Sequence, residues 1–191
     1  MQNKRSVCEN CKRPTKVCYC PGLPKEKLSL KADLVIFQDP REDKQAFNSV
    51  RLLERSIENV TIFKGRVFFE QQFNNPVLLY PSKNASNTLP EHVGTIILID
   101  ATWKFAKNLY NKNPWLKNLP TVVLQPVHEP IYAALRKPPK EGLISTAEAL
   151  ILILEFIGDL DNSNSLRSAL KYAVDAEPWQ KEVYEKSNND S

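Results

Sequence analysis

Four cysteines stand close together near the start of the chain: Cys8, Cys11, Cys18 and Cys20. They are the only cysteines among the 191 residues, and they form two pairs separated by six residues. Four thiolates match the ligand set of a structural zinc site, and in a reducing compartment such a cluster indicates a metal site before it indicates disulfides. We predict a compact zinc-binding arm, with an iron–sulfur cluster or free thiols as the alternatives.

A second candidate for chemistry is the turn from Asp100 to Trp103. Asp100 directly follows an apolar run and precedes a segment with helical periodicity. Because ligands bind beyond the carboxyl ends of parallel strands, this carboxylate could act as a base or hold a polar ligand group. It could instead cap the helix that follows. The indole of Trp103 could stack on a base or fill the core.

A third candidate is a basic loop that runs into the start of a helix. The loop contains three basic residues, Arg136, Lys137 and Lys140. Their side chains could contact phosphates. The sequence from Ser145 to Glu148 is a capping box, so backbone amides and the hydroxyls of Ser145 and Thr146 could bind an anionic or polar ligand group there. The plainer interpretation is a solvated charged loop before a well-capped helix.

The strands that must position these residues follow from the hydrophobic pattern. Short apolar runs bounded by polar residues are typical of strands buried on both faces of a sheet. Five such runs are predicted to be strands: Leu34–Phe37, Val60–Phe63, Val77–Tyr80, Thr95–Ile99 and Thr121–Leu124. Because these runs alternate with helical segments, we predict an α/β fold with a mostly parallel sheet covered on both sides.

Four segments are predicted to be helices. The first follows Asp39, which can cap it, and its apolar face consists of Phe47, Val50, Leu53 and Ile57. The other three helices are predicted over Trp103–Tyr110, Ala147–Gly158 and Ser165–Val174. The third of the four is strongly apolar, so we expect it to be buried.

The length and composition of the chain suit one α/β domain with a small appendage. We assign residues 1–30 to the cysteine arm and its linker, residues 31–185 to the globular domain, and residues 186–191 to a polar, frayed tail. The formal charge of +4 and the pI near 8.8 give a mild bias towards anionic partners. No secretory signal is visible and the longest apolar run is too short to span a bilayer, so we expect a soluble, cytoplasmic protein.

Five motifs occur along the chain in a characteristic order: Cys8 to Cys20 with Arg13-Pro14, Asp39 to Glu42 with Asn48, Leu78 to Ser82, Asp100 to Trp103, and Arg136 to Ala149. In this order they resemble the motifs of the DTW-domain aminocarboxypropyltransferases along most of the chain. Two departures concern single residues: Asp39 stands where the family usually has His, and Pro130 stands where a Ser often precedes Tyr132. The spacing from Tyr132 to Arg136 is also one residue longer than usual.

The resemblance implies a SPOUT-like α/β fold with a C-terminal trefoil knot. It also implies that S-adenosylmethionine is the co-substrate and is bound by loops that follow the strands. The residues expected to bind it are Tyr80, Pro81, Ser82, Asp100, Arg136, Leu143, Ser145 and Thr146. The implied reaction transfers the 3-amino-3-carboxypropyl group to N3 of a tRNA uridine and releases methylthioadenosine.

We assign roles to individual residues within that reaction. Asp100 is expected to remove the N3 proton, or to orient the uridine or the amine of the cofactor. Thr102 is expected to support the turn, and Trp103 to wall the pocket or stack on the base. Arg136 is a candidate for the cofactor carboxylate or an RNA phosphate. The RNA-facing rim is expected to contain Arg41, Lys104, Lys107, Lys137 and Lys140.

Two other functions are compatible with the sequence. A SPOUT-type RNA methyltransferase would use the same cofactor and release S-adenosylhomocysteine. A non-catalytic, zinc-bearing RNA-binding module would bind no cofactor at all. We expect a monomer that acts on tRNA and does not associate with membranes.

Overall fold

The computed structural model describes residues 6–126, 129–135 and 144–177. Within these residues five strands form one sheet: β1 Asp33–Gln38, β2 Val60–Lys64, β3 Pro76–Leu79, β4 Thr95–Asp100 and β5 Thr121–Val122. The α-helices of the same ranges are α1 Ser49–Ser56, α2 Trp103–Lys112, α3 Thr146–Phe156 and α4 Leu160–Asp175. The strand order is β2-β1-β4-β3-β5 and every pairing is parallel, which confirms the predicted class of fold. None of these helices has the length and apolarity needed to cross a membrane.

Two apolar layers cover the sheet because successive side chains of a strand point to opposite faces. On one face, Leu34 and Ile36 of β1 belong to the cluster that includes α1, α3 and α4. On the other face, Val35 and Phe37 pack with α2 and with the 3₁₀-helix Pro114–Asn118. This double burial explains why the strands are near-continuous apolar runs.

The helix predicted directly after Asp39 is interrupted. Asp39 caps only a 3₁₀-helix, Pro40–Lys44, by accepting a hydrogen bond from the Arg41 amide (3.0 Å). The chain then becomes extended, and α1 begins after Asn48, whose Oδ1 accepts from the Val50 amide (2.8 Å). The prediction of one helix was wrong because Asn favours an N-cap over a helix interior, and a second cap starts a second helix.

Several other bounds differ from the prediction by one or more residues, and two of these differences have a clear cause. Strand β5 ends at Val122 rather than at Leu124, because the Val123 amide donates to the Ser86 carbonyl (2.8 Å) and leaves the pairing with β3. Helix α4 begins at Leu160 rather than at Ser165. The prediction missed its first turns because they are mostly polar and show no apolar period.

The cysteine arm packs on the main core. Cys11 and Tyr19 are buried in the same apolar cluster as α3 and α4. Gly22 lies so close to α4 that a Cβ at this position would be 2.3 Å from Cγ of Tyr172, so only glycine fits there. Arg13 forms a buried ion pair with Glu177, just beyond the end of α4. The arm is therefore held to α4 by packing and by charge.

Candidate active site

A cavity of about 570 Å³ opens at the carboxyl ends of β3, β4 and β5. Its wall includes residues 79–81, 98–104 and 122–125 of these strands and their loops, and residues 144–146 at the start of α3. Pockets of roughly 300–1,000 Å³ are the usual size for small-molecule ligands. The edge of the sheet that the sequence predicted to bind a ligand therefore carries a cavity of suitable size.

Asp100 is buried in the cavity wall and is held by hydrogen bonds from three different elements. Its Oδ1 accepts from the hydroxyl of Thr146 at the start of α3 (2.6 Å). Its Oδ2 accepts from Nε2 of Gln38 at the end of β1 (2.9 Å) and from Nδ2 of Asn48 before α1 (3.5 Å). The N-cap of α2 is Thr102, so Asp100 does not serve as that cap. The geometry supports the interpretation of Asp100 as a functional carboxylate.

The turn after Asp100 places Thr102 and Trp103 at the cavity. The Thr102 carbonyl accepts from the amides of Phe105 (2.8 Å) and Ala106 (2.7 Å), so Thr102 supports the first turn of α2 through its backbone. Trp103 lines the cavity and is 41% exposed, so it does not fill the core. An exposed indole at a cavity wall is available to stack on a base.

The segment after β3 contributes Tyr80 and Pro81 to the cavity wall. The ring of Tyr80 stacks on that of Tyr110, with ring centroids 4.2 Å apart. Burial raises the pKa of Tyr80, so its phenol is neutral at physiological pH. Ser82 lies outside the wall, and its amide donates to the Tyr80 carbonyl (2.8 Å). Two of the three residues predicted here therefore face the cavity.

The capping box predicted at the start of α3 is present. The hydroxyl of Ser145 donates to Oε2 of Glu148 (2.7 Å), and the Ser145 amide donates to the same oxygen (2.8 Å). Oε1 of Glu148 accepts from the Tyr132 amide (3.0 Å), which ties the preceding loop to the helix. Ser145 and Thr146 both line the cavity, but their hydroxyl protons are engaged by Glu148 and Asp100 respectively.

The four cysteines converge on one point. Their Sγ atoms all lie within 4.8 Å of one another, with 3.7 Å from Cys8 to Cys20 and 3.7 Å from Cys11 to Cys18. Four thiolates bound tetrahedrally to zinc at about 2.3 Å are about 3.8 Å apart. The set therefore fits one tetrahedral ion, and it is compact for a cluster of several irons. The Cys11 amide lowers the pKa of the Cys8 thiol to about 6, whereas burial raises the pKa of the Cys18 and Cys20 thiols. The thiolate is the form that binds a metal, so Cys8 is the thiol of the three that loses its proton first.

Almost the whole chain matches one known family. The family model described as the DTW domain covers residues 5–177. This protein belongs to the DTW domain family. The matched region includes the cysteine arm, the sheet and α4, so the DTW domain contains both the four clustered cysteines and the cavity.

Curated relatives of this DTW domain protein share one kind of name. The "tRNA-uridine aminocarboxypropyltransferase 2" of Drosophila melanogaster is 32% identical over 97% of this chain and 83% of its own length. The Mus musculus protein of the same name is 31% identical over 87% of this chain, which spans 60% of that relative. The "tRNA-uridine aminocarboxypropyltransferase A" of Arabidopsis thaliana is 25% identical over 78% of this chain and 71% of its own length. No solved structure matches.

Three of the residues predicted to contact RNA lie in the described part of the DTW domain. Lys104 is exposed at the cavity, and Lys107 is exposed on α2 outside the cavity wall. Arg41 pairs with Asp39, with 2.7 Å from Nη2 to Oδ2. The remaining basic and cofactor-binding predictions lie outside the described residues: Arg136, Lys137, Lys140 and Leu143.

The sequence prediction missed several residues that form the site. Gln38 stands opposite Asp100 in the register of β1 and β4 and donates to its carboxylate. A signal for Gln38 was present, since it is a polar residue at the carboxyl end of a buried strand, as Asp100 is. Phe47 and Tyr132 also line the cavity, with ring centroids 5.7 Å apart. Their spacing in the sequence carries no signal for this contact.

Proposed function

We propose that this DTW domain protein transfers the 3-amino-3-carboxypropyl group of S-adenosylmethionine to N3 of a uridine in tRNA. The relatives reported above are named as tRNA-uridine aminocarboxypropyltransferases. The observation that carries the proposal is the Asp100 carboxylate, fixed by three donors in the wall of a ligand-sized cavity beside the exposed Trp103. Alkylation of uridine N3 needs a group that removes its proton and a surface that holds an unpaired base.

The cavity suits S-adenosylmethionine in size and in chemistry. Leu98, Val122 and Leu124 form apolar wall, while Asn48 and Asp100 provide polar atoms. When bound, the sulfonium supplies three activated carbons, and the orientation of the cofactor decides which carbon meets the nucleophile. We assign its binding to Tyr80, Pro81, Asp100, Arg136, Leu143, Ser145 and Thr146.

The residues of the site then have distinct tasks. Uridine N3–H is an imide and a poor nucleophile until its proton leaves. Asp100 accepts this proton while N3 forms a bond to the terminal carbon of the aminocarboxypropyl chain. The bond from that carbon to sulfur breaks, and its electron pair stays on sulfur in methylthioadenosine. Thr146, Gln38 and Asn48 keep the carboxylate in place, so little reorganisation is needed at the moment of reaction.

The test is mass spectrometry of nucleosides and small-molecule products after incubation of the protein with S-adenosylmethionine and unmodified tRNA. We expect aminocarboxypropyluridine together with methylthioadenosine. Methyluridine with S-adenosylhomocysteine would instead assign the protein to the RNA methyltransferases. Binding of tRNA without any binding of S-adenosylmethionine would assign it to the non-catalytic RNA-binding modules.

Two variants make the test specific to the cavity. Asp100→Asn should slow product formation by about 10²–10⁴-fold, because it removes the base. Asp161→Asn removes an exposed carboxylate from the first turn of α4 and should leave product formation unchanged. Equal activity in the two variants would contradict the role of Asp100.

We propose further that the fold is SPOUT-like with a C-terminal trefoil knot, that the cysteine arm holds zinc, and that the protein is a cytoplasmic monomer. The parallel sheet covered on both faces supports the first point, and the compact set of thiolates supports the second. An experimental structure that traces residues 136–143 tests the knot. Metal analysis of the purified protein tests zinc, and sedimentation tests the monomer.

A further inference from the structure

A buried carboxylate beside the cavity holds two arginines. The side chain of Asp39 is 3% exposed. It accepts two hydrogen bonds from the Arg41 guanidinium, Nε to Oδ1 (2.8 Å) and Nη2 to Oδ2 (2.7 Å). Nε of Arg66 lies 3.7 Å from Oδ2 of the same carboxylate. One carboxylate thus contacts two guanidinium groups, and these three groups together carry a net charge of about +1. Asp39, and to a smaller extent Glu42, raise the pKa of Arg41.

The two arginines carry more donors than Asp39 can satisfy. A guanidinium has about five N–H donors, whereas a carboxylate has about four lone-pair sites. Arg41 is fixed as well by the ring of Phe105, whose centroid lies 3.0 Å from its Cζ. Arg66 is 54% exposed and its side chain donates no hydrogen bond to any described residue. By contrast, nearby Lys64 is neutralised by Asp43 (2.9 Å).

The arginine pair lies at the same edge of the sheet as the cavity, and Glu42, next to Arg41 in the chain, lines the cavity wall. The Asp39 amide donates to the Asp100 carbonyl (2.9 Å), so the two carboxylate residues are joined through their backbones. Phe105 lies in the first turn of α2, two residues after Trp103, which lines the cavity. The loop that carries Arg66 is fixed to β1 by a bond from the Gly65 amide to the Gln38 carbonyl (3.0 Å). All of these contacts are at the carboxyl edge of the sheet, where the cavity opens.

We propose that Arg41 and Arg66 form a phosphate-binding pair, held in position by Asp39, that contacts the RNA backbone next to the target uridine. This inference rests on the proposed function, because an RNA whose base enters the cavity is the source of the phosphate. A base that leaves its stack to enter a cavity keeps its phosphates at the rim. Guanidinium groups match phosphate oxygens in geometry and charge, and a pair already oriented by a carboxylate loses little freedom on binding.

The experiment measures tRNA affinity as a function of salt concentration for Arg66→Gln and Arg41→Gln. Each loses one phosphate contact, so we expect roughly tenfold weaker binding, the lower end for hydrogen bonds between charged groups. The slope of log K against log salt should fall by about 0.7–0.9, while the Kd for S-adenosylmethionine stays unchanged. Lys171→Gln removes a positive charge from α4, where Lys171 pairs with Asp175 (2.9 Å), and should leave both affinities unchanged.

The variant Asp39→Asn distinguishes the effect of Arg41 orientation on tRNA affinity from the effect of charge. Asn can still accept the bond from the Arg41 amide, but the substitution removes one negative charge, so the net charge of the site rises by one. If charge alone governed binding, this variant would bind tRNA more tightly. We expect weaker binding, because the bidentate contact that positions Arg41 is lost. Tighter binding would overturn the role given to Asp39.

Failure of this inference can be told apart from failure of the proposed function. Wild-type affinity and salt slope in both Arg66→Gln and Arg41→Gln, in protein that still modifies tRNA, would overturn the phosphate-binding pair alone. Conversely, salt-dependent tRNA binding that weakens in both variants would support the pair even if no aminocarboxypropyluridine were formed.

Discussion

Replacing Asp100 with Asn removes the negative charge of the site and keeps its shape. The amide oxygen can go on accepting from Gln38 and Asn48, which both approach Oδ2. The new amide group can donate to Thr146, whose hydroxyl can turn from donor to acceptor. Every contact is therefore retained, and we expect the free energy of unfolding to change by less than about 1 kcal/mol.

The expected effect on catalysis is much larger than the effect on stability. A general base contributes about 10²–10⁴-fold to a rate, so kcat of Asp100→Asn should fall by about that factor. Asp100→Ala removes both acceptor oxygens and leaves buried donors unpaired, at about 1–3 kcal/mol for each donor. Its melting temperature should fall by roughly 2–4 °C for each kcal/mol.

Three measurements test this reasoning together: single-turnover formation of aminocarboxypropyluridine, calorimetric binding of S-adenosylmethionine, and thermal unfolding. A wild-type rate in Asp100→Asn with unchanged cofactor affinity would refute the assignment of Asp100 as the base. A wild-type rate with weakened cofactor affinity would assign Asp100 to orientation instead. A melting temperature as low as that of Asp100→Ala would refute the hydrogen-bond argument.

Three further predictions concern the supports of the site. Cys11→Ser removes one thiolate from the set and should reduce bound zinc from stoichiometric to substoichiometric, measured by metal analysis. Glu177→Gln leaves the buried Arg13 without its counter-charge and should cost about 3–5 kcal/mol in denaturant unfolding, whereas Arg13→Met combined with Glu177→Leu should be nearly neutral. Arg41 holds the pKa of Asp39 at about 2, below its ordinary value of 3.8. The charged Asp39 therefore stabilises the fold above the unfolded pKa by about 2 kcal/mol, and the stability difference between wild type and Asp39→Asn should disappear as the pH falls towards 2.

Each of these predictions has a clear contrary result. Full zinc content in Cys11→Ser would place the ion on other ligands. Equal losses for Glu177→Gln and for the double variant would show that packing, not charge, explains the cost. A stability difference for Asp39→Asn that stays constant down to pH 2 would mean that Asp39 is not stabilised by Arg41.

Prediction from the sequence succeeded where residues close together in the chain determine the structure by contacting one another. The capping box of Ser145 and Glu148 depends on residues three apart, and both of its hydrogen bonds are present. The prediction of one helix after Asp39 failed. The apolar side chains recur at helical spacing, but the helical backbone is interrupted between Lys44 and Ser49. A polar residue within such a period, here Asn48, can restart a helix without disturbing the apolar face.

The sequence by itself determined the class of fold, the family and the cluster of four cysteines, and it singled out Asp100 as a candidate site residue. Runs of apolar residues report which segments are buried on both faces, and the cysteines lie close together in the chain. Only the tertiary structure decided which side chains meet at the site. Thr146 reaches Asp100 across 46 residues, and Gln38 reaches it across 62. Parallel strands bring such distant segments to one edge, and the hydrophobic period does not specify which segments become neighbours.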